Sequence, residues 1–512
     1  MTEPPIRAHD VRLVPAAAAG WGATIVGVLG GSVLAAAVAV ISGVVVVVVL
    51  RCRARLGAAA FGLVAMSVVS CCYAGASAVH ASMFESSPVT AAAKDRAWIS
   101  AAVSVVEDPR RTRSPGPSMV TIAVELRRID LAGTPIELGG RLTVLALSDG
   151  WDHLVPGQQV LVRGRLAEPT RRNLTLAVVR MNGPPLHVQP PGTVARAAST
   201  VRTSLSSAAA EALPADRAGV LPGLVVGDVS GLPEDVETDF RAAGLTHLTA
   251  VSGANFAIVL GAVLLLTRSA ALGPRTTVLI GAMAVVAFVV VARPSPSVLR
   301  AAVMGAVGLL ALVTGRRRQA VPALCTSVLG LLVWLPQLSV DVGFALSVAA
   351  TAGLVVVAPV WVDWLRSHGW GRSAAEIVAV ASAAHAVTAP IVAGMSGTLS
   401  VVGIAANMAV APVVAPITVV GVVAAAVAPW ASGPASLVLR LTDAPLWWLI
   451  LVAERAGSVP GASIGTPGGA AGVVIVVAVT AAIVCALRVR FLRWMIGGAG
   501  AAATVLWIVW SV

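Results

Sequence analysis

Charge is what this sequence most lacks. Asp, Glu, Lys and Arg make up 12% of its 512 residues, against about 25% in ordinary globular domains. Lysine occurs once, at Lys94, and tyrosine once, at Tyr73. A soluble enzyme or a disordered chain of this length needs far more polar surface, so both are excluded. Cysteine is also scarce. Cys52, Cys71, Cys72, Cys325 and Cys485 form no C-x-x-C pair, and four of them sit in apolar segments, where a free thiol behaves as a small hydrophobe. That pattern argues against a disulfide-stapled secreted domain and against a cysteine metal site. No G-x-x-x-x-G-K-[ST] loop is present, so the chain has no phosphate-cradling nucleotide site of that type.

Apolar residues are abundant instead. They form 57% of the chain, and the mean hydropathy is +0.89. The composition implies a polytopic α-helical membrane protein. The net charge of +12 would suggest nucleic-acid binding in a soluble protein. In a membrane protein, basic cytoplasmic loops account for much of it.

The chain divides by composition. Residues 1–20 are a polar N-terminus, and 21–80 read as a transmembrane hairpin whose loop carries Arg51, Arg53 and Arg55. Its first apolar stretch is too long for a cleaved signal peptide. Residues 93–191 hold no stretch long enough to span. Short alternating segments near 97–106, 119–127, 141–147, 159–166 and 173–180 are separated by turn-rich pieces such as Ser148-Asp149-Gly150. Such spacing predicts a small inserted β-barrel with the OB-fold as leading candidate. Residues 192–240 read as an amphipathic helix and linker, the helix carrying Arg196, Arg202 and Glu211 and suited to a membrane interface. Residues 241–512 read as a multi-spanning domain. Helices are expected near 245–267, 276–292, 298–314, 320–335, 342–360, 374–394, 398–428, 436–453, 472–487 and 494–511, for about twelve spans with the hairpin. Pro412 and Pro416 suggest two half-helices within 398–428. Alternating the loops places Arg268/Arg275, Arg316 to Arg318, Arg366/Arg372 and Arg488/Arg490/Arg493 in the cytoplasm and the β-domain outside it.

Polar residues at membrane depth are the candidate site. Thr246, His247, Thr249, Ser252 and Asn255 open an apolar segment after Asp228. They serve either a cavity or hydrogen bonds between helices. Ser252 and Asn255 are three apart and share a helix face. His247 and Ser252 are five apart, about 140° around a helix, so a Ser–His hydrolase needs a break at Gly253. In the second cluster, Pro296 suits a first helical position after Ser295 as cap. Arg300 then lies one turn into a membrane helix, where a charge needs a partner, water or a passing anion, or snorkels to the interface. In the third, Asp341 either caps its helix or pairs with Arg300, and Gly343, Ser347 and Thr351 form a small-residue face. Asn407 is a fourth polar spot. On the β-domain, Arg163, Arg165, Arg171 and Arg172 are the DNA-binding candidates, with Trp98 and Trp151 nearly the only aromatic platforms for stacked bases.

Taken in order, the stretches Leu224–Asp228, Ala243–Gly253, Pro296–Met304, Asp341–Leu354 and Asn407–Ile417 resemble the motifs of the ComEC family of competence proteins. The two-helix anchor and the OB-like domain before them fit the same resemblance, which covers roughly residues 20–430. It implies a channel in the plasma membrane that passes single-stranded DNA into the cytoplasm during natural transformation. It also implies external partners: a DNA receptor outside and a helicase-type motor inside. Two departures matter. Many members carry a histidine two residues after the Ser-Gly pair, where this chain has Asn255. Larger members carry a C-terminal metallo-β-lactamase-like domain. The seven histidines here form no H-x-H-x-D-H cluster, so no zinc nuclease is expected and degradation of the other strand falls to a separate protein. No catalytic residue, metal or cofactor is expected. A transporter of another anionic solute or polymer and an intramembrane hydrolase are the alternatives.

Overall fold

The computed structural model describes residues 10–57, 59–112, 118–131, 134–170, 172–314 and 320–486. The chain forms two compact units. Among the described residues, one comprises 10–200 and 325–341, the other 201–314, 320–324 and 342–486.

The first unit opens with two long helices, α1 (Val14–Arg51) and α3 (Ala59–Glu85), joined through the single turn α2 (Arg53–Leu56). Gly31 breaks α1 at φ 85°, ψ −178°. The carboxylate of Glu85 reaches the break, accepting from the Ser32 backbone N–H at 3.2 Å and the Ser32 hydroxyl at 2.6 Å. It thus caps the second half of α1, where an anion is favoured by the helix dipole. After α4 (Pro88–Lys94) come β1 (Trp98–Val105), β2 (Arg110–Arg111), β3 (Met119–Leu131), β4 (Thr134–Leu147), β5 (Gln159–Ala167) and β6 (Thr175–Arg180).

These strands form one sheet in the order β1-β5-β6-β4-β3-β2, and β1 also pairs with β3, so the order returns to its start. All pairs are antiparallel except β4 with β6. Period-two alternation drives this packing, because successive side chains in a strand face opposite sides. Ile99, Ala101, Val103 and Val105 of β1 bury against Val120, Ile122, Val124 and Leu126 of β3 and against Val160 and Val162 of β5. Strands β3 and β4 extend beyond the segments expected from the sequence, to a hairpin that closes between Leu131 and Thr134.

The second unit is helical. It contains most of α5 (Thr193–Ala212), then α6 (Ala215–Val226), α7 (Glu234–Ala242), α8 (Gly253–Ser269), α9 (Pro274–Ala292) and α10 (Pro296–Val313). The chain passes to the first unit within α11 (Ala320–Trp334) and returns for α12 (Val342–Ala352). Then follow α13 (Ala358–Ser367), α14 (Arg372–Ser396), β7 (Thr398–Ser400), α15 (Gly403–Val427), α16 (Ser432–Leu439), α17 (Asp443–Gly457), β8 (Ser463–Gly465) and α18 (Gly469–Ala486). The largest core gathers Leu205, Ala208 and Ala209 of α5 with Leu221 and Leu224 of α6, Phe240 of α7, Ile417 of α15 and Leu446 and Leu449 of α17.

Nine helical segments among the described residues are long and apolar enough to cross a membrane, and α8 and α11 are shorter apolar helices. The chain is a polytopic helical membrane protein. The expected helix at 494–511 and the basic loop residues Arg316 to Arg318 lie outside the described residues.

Three expectations change. The apolar face of α5 is spent on the protein core, with Leu205, Ala208 and Ala209 at 0% exposure, because α6, α15 and α17 offer it a larger apolar surface. Residues 403–427 form one helix through Pro412 and Pro416 rather than two halves, since neighbouring groups in a bundle re-satisfy carbonyls freed by proline. The helix expected from residue 245 begins at Gly253. A left-handed Gly244 and a short 3-10 turn at Thr246–Leu248 take up the polar residues before it.

Candidate functional site

Local sequence determines how the polar residues of the helical unit are presented. Helix α6 ends at Gly227, φ 72°, whose N–H bonds to Gly223 while Asp228 N–H bonds back to Pro222. Glycine accepts this left-handed cap without strain. Arg202 of α5 reaches the same helix end. Its guanidinium donates to the carbonyl of Val226, to Val291 at 3.3 Å and to Gly227 at 3.5 Å, and lies 3.8 Å from Asp228 Oδ1. A cation at a helix C-terminus complements its dipole. Burial lowers the Arg202 pKa, and the nearby Asp228 carboxylate opposes that shift. Asp228 Oδ1 also accepts from the N–H and hydroxyl of Ser230.

A second group lies around the Gly244 turn. The His247 ring is hydrogen-bonded to the Gly244 backbone. A Cβ on Gly244 would lie 3.0 Å from that of Ser400, whose hydroxyl donates to Ala242 O at 2.9 Å. Gly403 abuts the His385 ring, and Asn407 Nδ2 donates to Gly403 O at 2.7 Å. His247 and Asn407, far apart in sequence, therefore share one neighbourhood with His385. The His247 residue is exposed.

The third group centres on Arg300. Ser295 caps α10 as the Ser-Pro spacing suggests, accepting from Val298 N–H. Arg300, one turn on, is 5% exposed. Its Nε donates to Ser347 Oγ of α12 at 2.8 Å, and Nη1 to the Met304 sulfur at 3.1 Å. The Ser347 hydroxyl donates in turn to Ser297 Oγ at 3.1 Å. Gly253, first residue of α8, faces the guanidinium: a Cβ there would lie 2.5 Å from Nη2. Ser252 caps α8, accepting from Asn255 N–H and donating to Asn255 Oδ1, both at 3.2 Å. Asn255, 1% exposed, spends its amide on Leu224 O at 2.8 Å. It braces α8 against α6.

Ser252, Asn255 and Arg300 are thus brought together, as are His247 and Asn407. Among the described residues Ser252 and His247 make no hydrogen bond to each other. Asp341 belongs to the other unit, at the end of the 3-10 turn Pro336–Val340. Two participants, the buried Arg202 and the part-buried Ser347, do not stand out as site residues in the sequence. Arg202 is hidden by its place on an amphipathic helix, whose pattern does not tell water from core.

On the sheet, Arg163 and Arg165 stand exposed on β5. Arg165 pairs across to Trp98 of β1 on one side and Arg180 of β6 on the other. Trp98 is 68% exposed. Arg180, also exposed, is a third cation on this row that strand pairing reveals. Arg172 donates to Leu29 O at 3.2 Å, and Arg171 lies outside the described residues. Trp151 is 1% exposed and bonded through Nε1 to Gly183 O. It fills the sheet's core and offers no stacking face.

Residues 224–491 match the family model described as Competence protein. ComE operon protein 3 of Bacillus subtilis (strain 168) is 29% identical over 158 residues, which is 31% of this chain and 20% of that protein. The chain thus matches about a fifth of the length of that relative. No solved structure matches.

Proposed function

The chain belongs to the competence protein family, as the match over 224–491 shows, and from that premise we propose that it is a channel for uptake of single-stranded DNA in natural transformation. The observation that carries this reading is the matched segment's content. It holds Asp228, His247, Ser252, Asn255, Arg300 and Asn407 on the apolar helical unit, and Asp341 on the other unit. Polar groups among apolar helices serve a cavity, a cargo path or hydrogen bonds between helices. His247, exposed, and Arg300, charged and buried, line or brace that path. Passing a strand requires no covalent chemistry, so a helicase-type motor or the membrane potential supplies the energy.

The sheet fits an OB-like barrel. In support, β1 pairs with both β3 and β5, and the lone parallel pair joins β4 to β6, as a five-stranded Greek-key ring requires. We place it outside the cytoplasm, where Arg163, Arg165, Arg172, Arg180 and Trp98 receive the strand through charge and stacking. An extracellular receptor delivering the DNA and a separate nuclease complete the system.

Deletion of the gene in a transformable host tests the reading. Uptake of labelled DNA into the cytoplasm should cease and return on complementation. Undiminished uptake of DNA, with loss of another anion's transport, would favour the transporter alternative. The hydrolase alternative gains no support from the Ser252 hydroxyl, which is engaged with Asn255.

A further inference from the structure

We propose that the N-terminus of α8 and the Arg300 guanidinium together form an oxyanion site for one phosphate group. Helix α8 runs for 17 residues from Gly253. In its first turn, Asn255 N–H bonds to Ser252 Oγ and Phe256 N–H to Ser252 O. The N–H groups of Gly253 and Ala254 have no acceptor among the described residues. Such orphan donors, with the positive end of the helix dipole, form a ready anion seat.

The second observation is Arg300 itself. It is 5% exposed, and no described carboxylate pairs with it. Nε and Nη1 are spent on Ser347 and the weakly accepting Met304 sulfur, while Nη2 has no hydrogen-bond partner among the described residues. That nitrogen is the one pressed against Gly253. A guanidinium beside a helix N-terminus places two positive features together, each uncompensated. Nη2 is not among the fully buried atoms without a partner, so a solute can reach it, and an oxyanion between the two satisfies both. Ser297 adds a donor. Its oxygen accepts from Ser347, which leaves its own proton for the ligand. Gly253 is what allows the approach, because any side chain there would displace Nη2.

The site stands on this geometry. Assigning its anion as a phosphodiester of the passing strand rests on the channel reading. A single station of this kind binds a backbone phosphate without holding the strand at many points, as conduction requires.

The test uses the full chain in detergent, with thermal unfolding followed against inorganic phosphate and against chloride at matched ionic strength. Phosphate should raise the melting temperature of the wild type. In Arg300→Gln the apparent phosphate affinity should fall by about tenfold or more, as for loss of a charge-assisted bond. Ala254→Pro removes one N–H at a position that tolerates proline, leaves Arg300 in place, and should weaken phosphate by about fivefold. The proposal is overturned if phosphate protects no better than chloride, or protects both variants as well as wild type. A short oligodeoxythymidine should compete with phosphate, and a peptide nucleic acid of the same bases should not. Arg300-dependent phosphate protection without oligonucleotide competition keeps the site and removes DNA as its cargo. Absent phosphate binding with intact DNA uptake removes the site and keeps the channel.

Discussion

Arginine is used in opposite ways by the two units. On the sheet, Arg163, Arg165 and Arg180 stand in water on the outer face, each beside residues that alternate into the core. In the helical unit, Arg202 and Arg300 are each 5% exposed. A solvated cation costs the fold little, and its placement is only a matter of which face it decorates. A buried one must be held. Arg202 is held by carbonyls at the end of α6 and by Asp228, whereas Arg300 has one serine hydroxyl, a thioether and the end of a helix. The difference separates a brace from the proposed site: the paired buried charge locks two helices, and the one with no carboxylate partner among the described residues is where we place the anion.

The largest effect is expected at Arg300. Arg300→Ala, at equal membrane abundance, should reduce transformation by about tenfold to a hundredfold, since a hydrogen bond to a charged group contributes about 1.5–3 kcal/mol. Asp341→Ala should do the same, and unchanged transformation would remove either residue from the path. Next in size is Arg202→Met. It strips the carbonyls of α6 of their donor and leaves Asp228 with Ser230 but without its cation, so the full chain should lose about 1–3 kcal/mol in denaturant or thermal unfolding. A loss of uptake with no loss of stability would instead make Arg202 part of the cargo path.

The sheet should respond differently. Replacing Arg163, Arg165 and Arg180 together with Gln should leave the melting temperature nearly unchanged. It should flatten the salt dependence of single-strand binding by about two in the log–log slope, at roughly 0.7 for each phosphate no longer neutralised. A salt slope equal to the wild type would show that this face does not meet DNA. The smallest effect concerns Asp239 of α7. Burial, then Glu454 and Asp235, raise its pKa. The folded state therefore favours the protonated acid, and its ionisation costs stability at neutral pH. That cost disappears as pH falls through the folded pKa. Asp239→Asn should stabilise the chain at pH 7 by less than about 1 kcal/mol, because water screens a half-exposed group. The gain should vanish in acid, as melting curves across pH would show.

Much of the architecture is legible from residue patterns, and for definite reasons. Apolar runs such as Val44–Val49 require a membrane or a core, and alternation in Gln159–Leu166 admits only a half-buried strand. The cap of α10 follows from Ser295 and Pro296. Trp151 and Arg202 are not legible. An isolated tryptophan reads equally as platform or core, and it is core here because the sheet's interior has a space of its size beside Gly183. The basic row of the sheet is legible in part. Arg163 and Arg165 declare one face by their spacing, but Arg180 joins them only through the pairing of β5 with β6.

The sequence alone determined that the chain lives in a membrane, carries a small β-domain between helical blocks, and bears ordered polar motifs of a competence protein. Those properties depend on composition and local periodicity, which are written residue by residue. Only the tertiary structure decided which polar groups meet. Gly253 touches Arg300 and Gly403 touches His385 across long stretches of chain. Such approaches arise from helix packing, where a missing Cβ or a hydroxyl at the right height settles what can come close, and no local pattern encodes that distance.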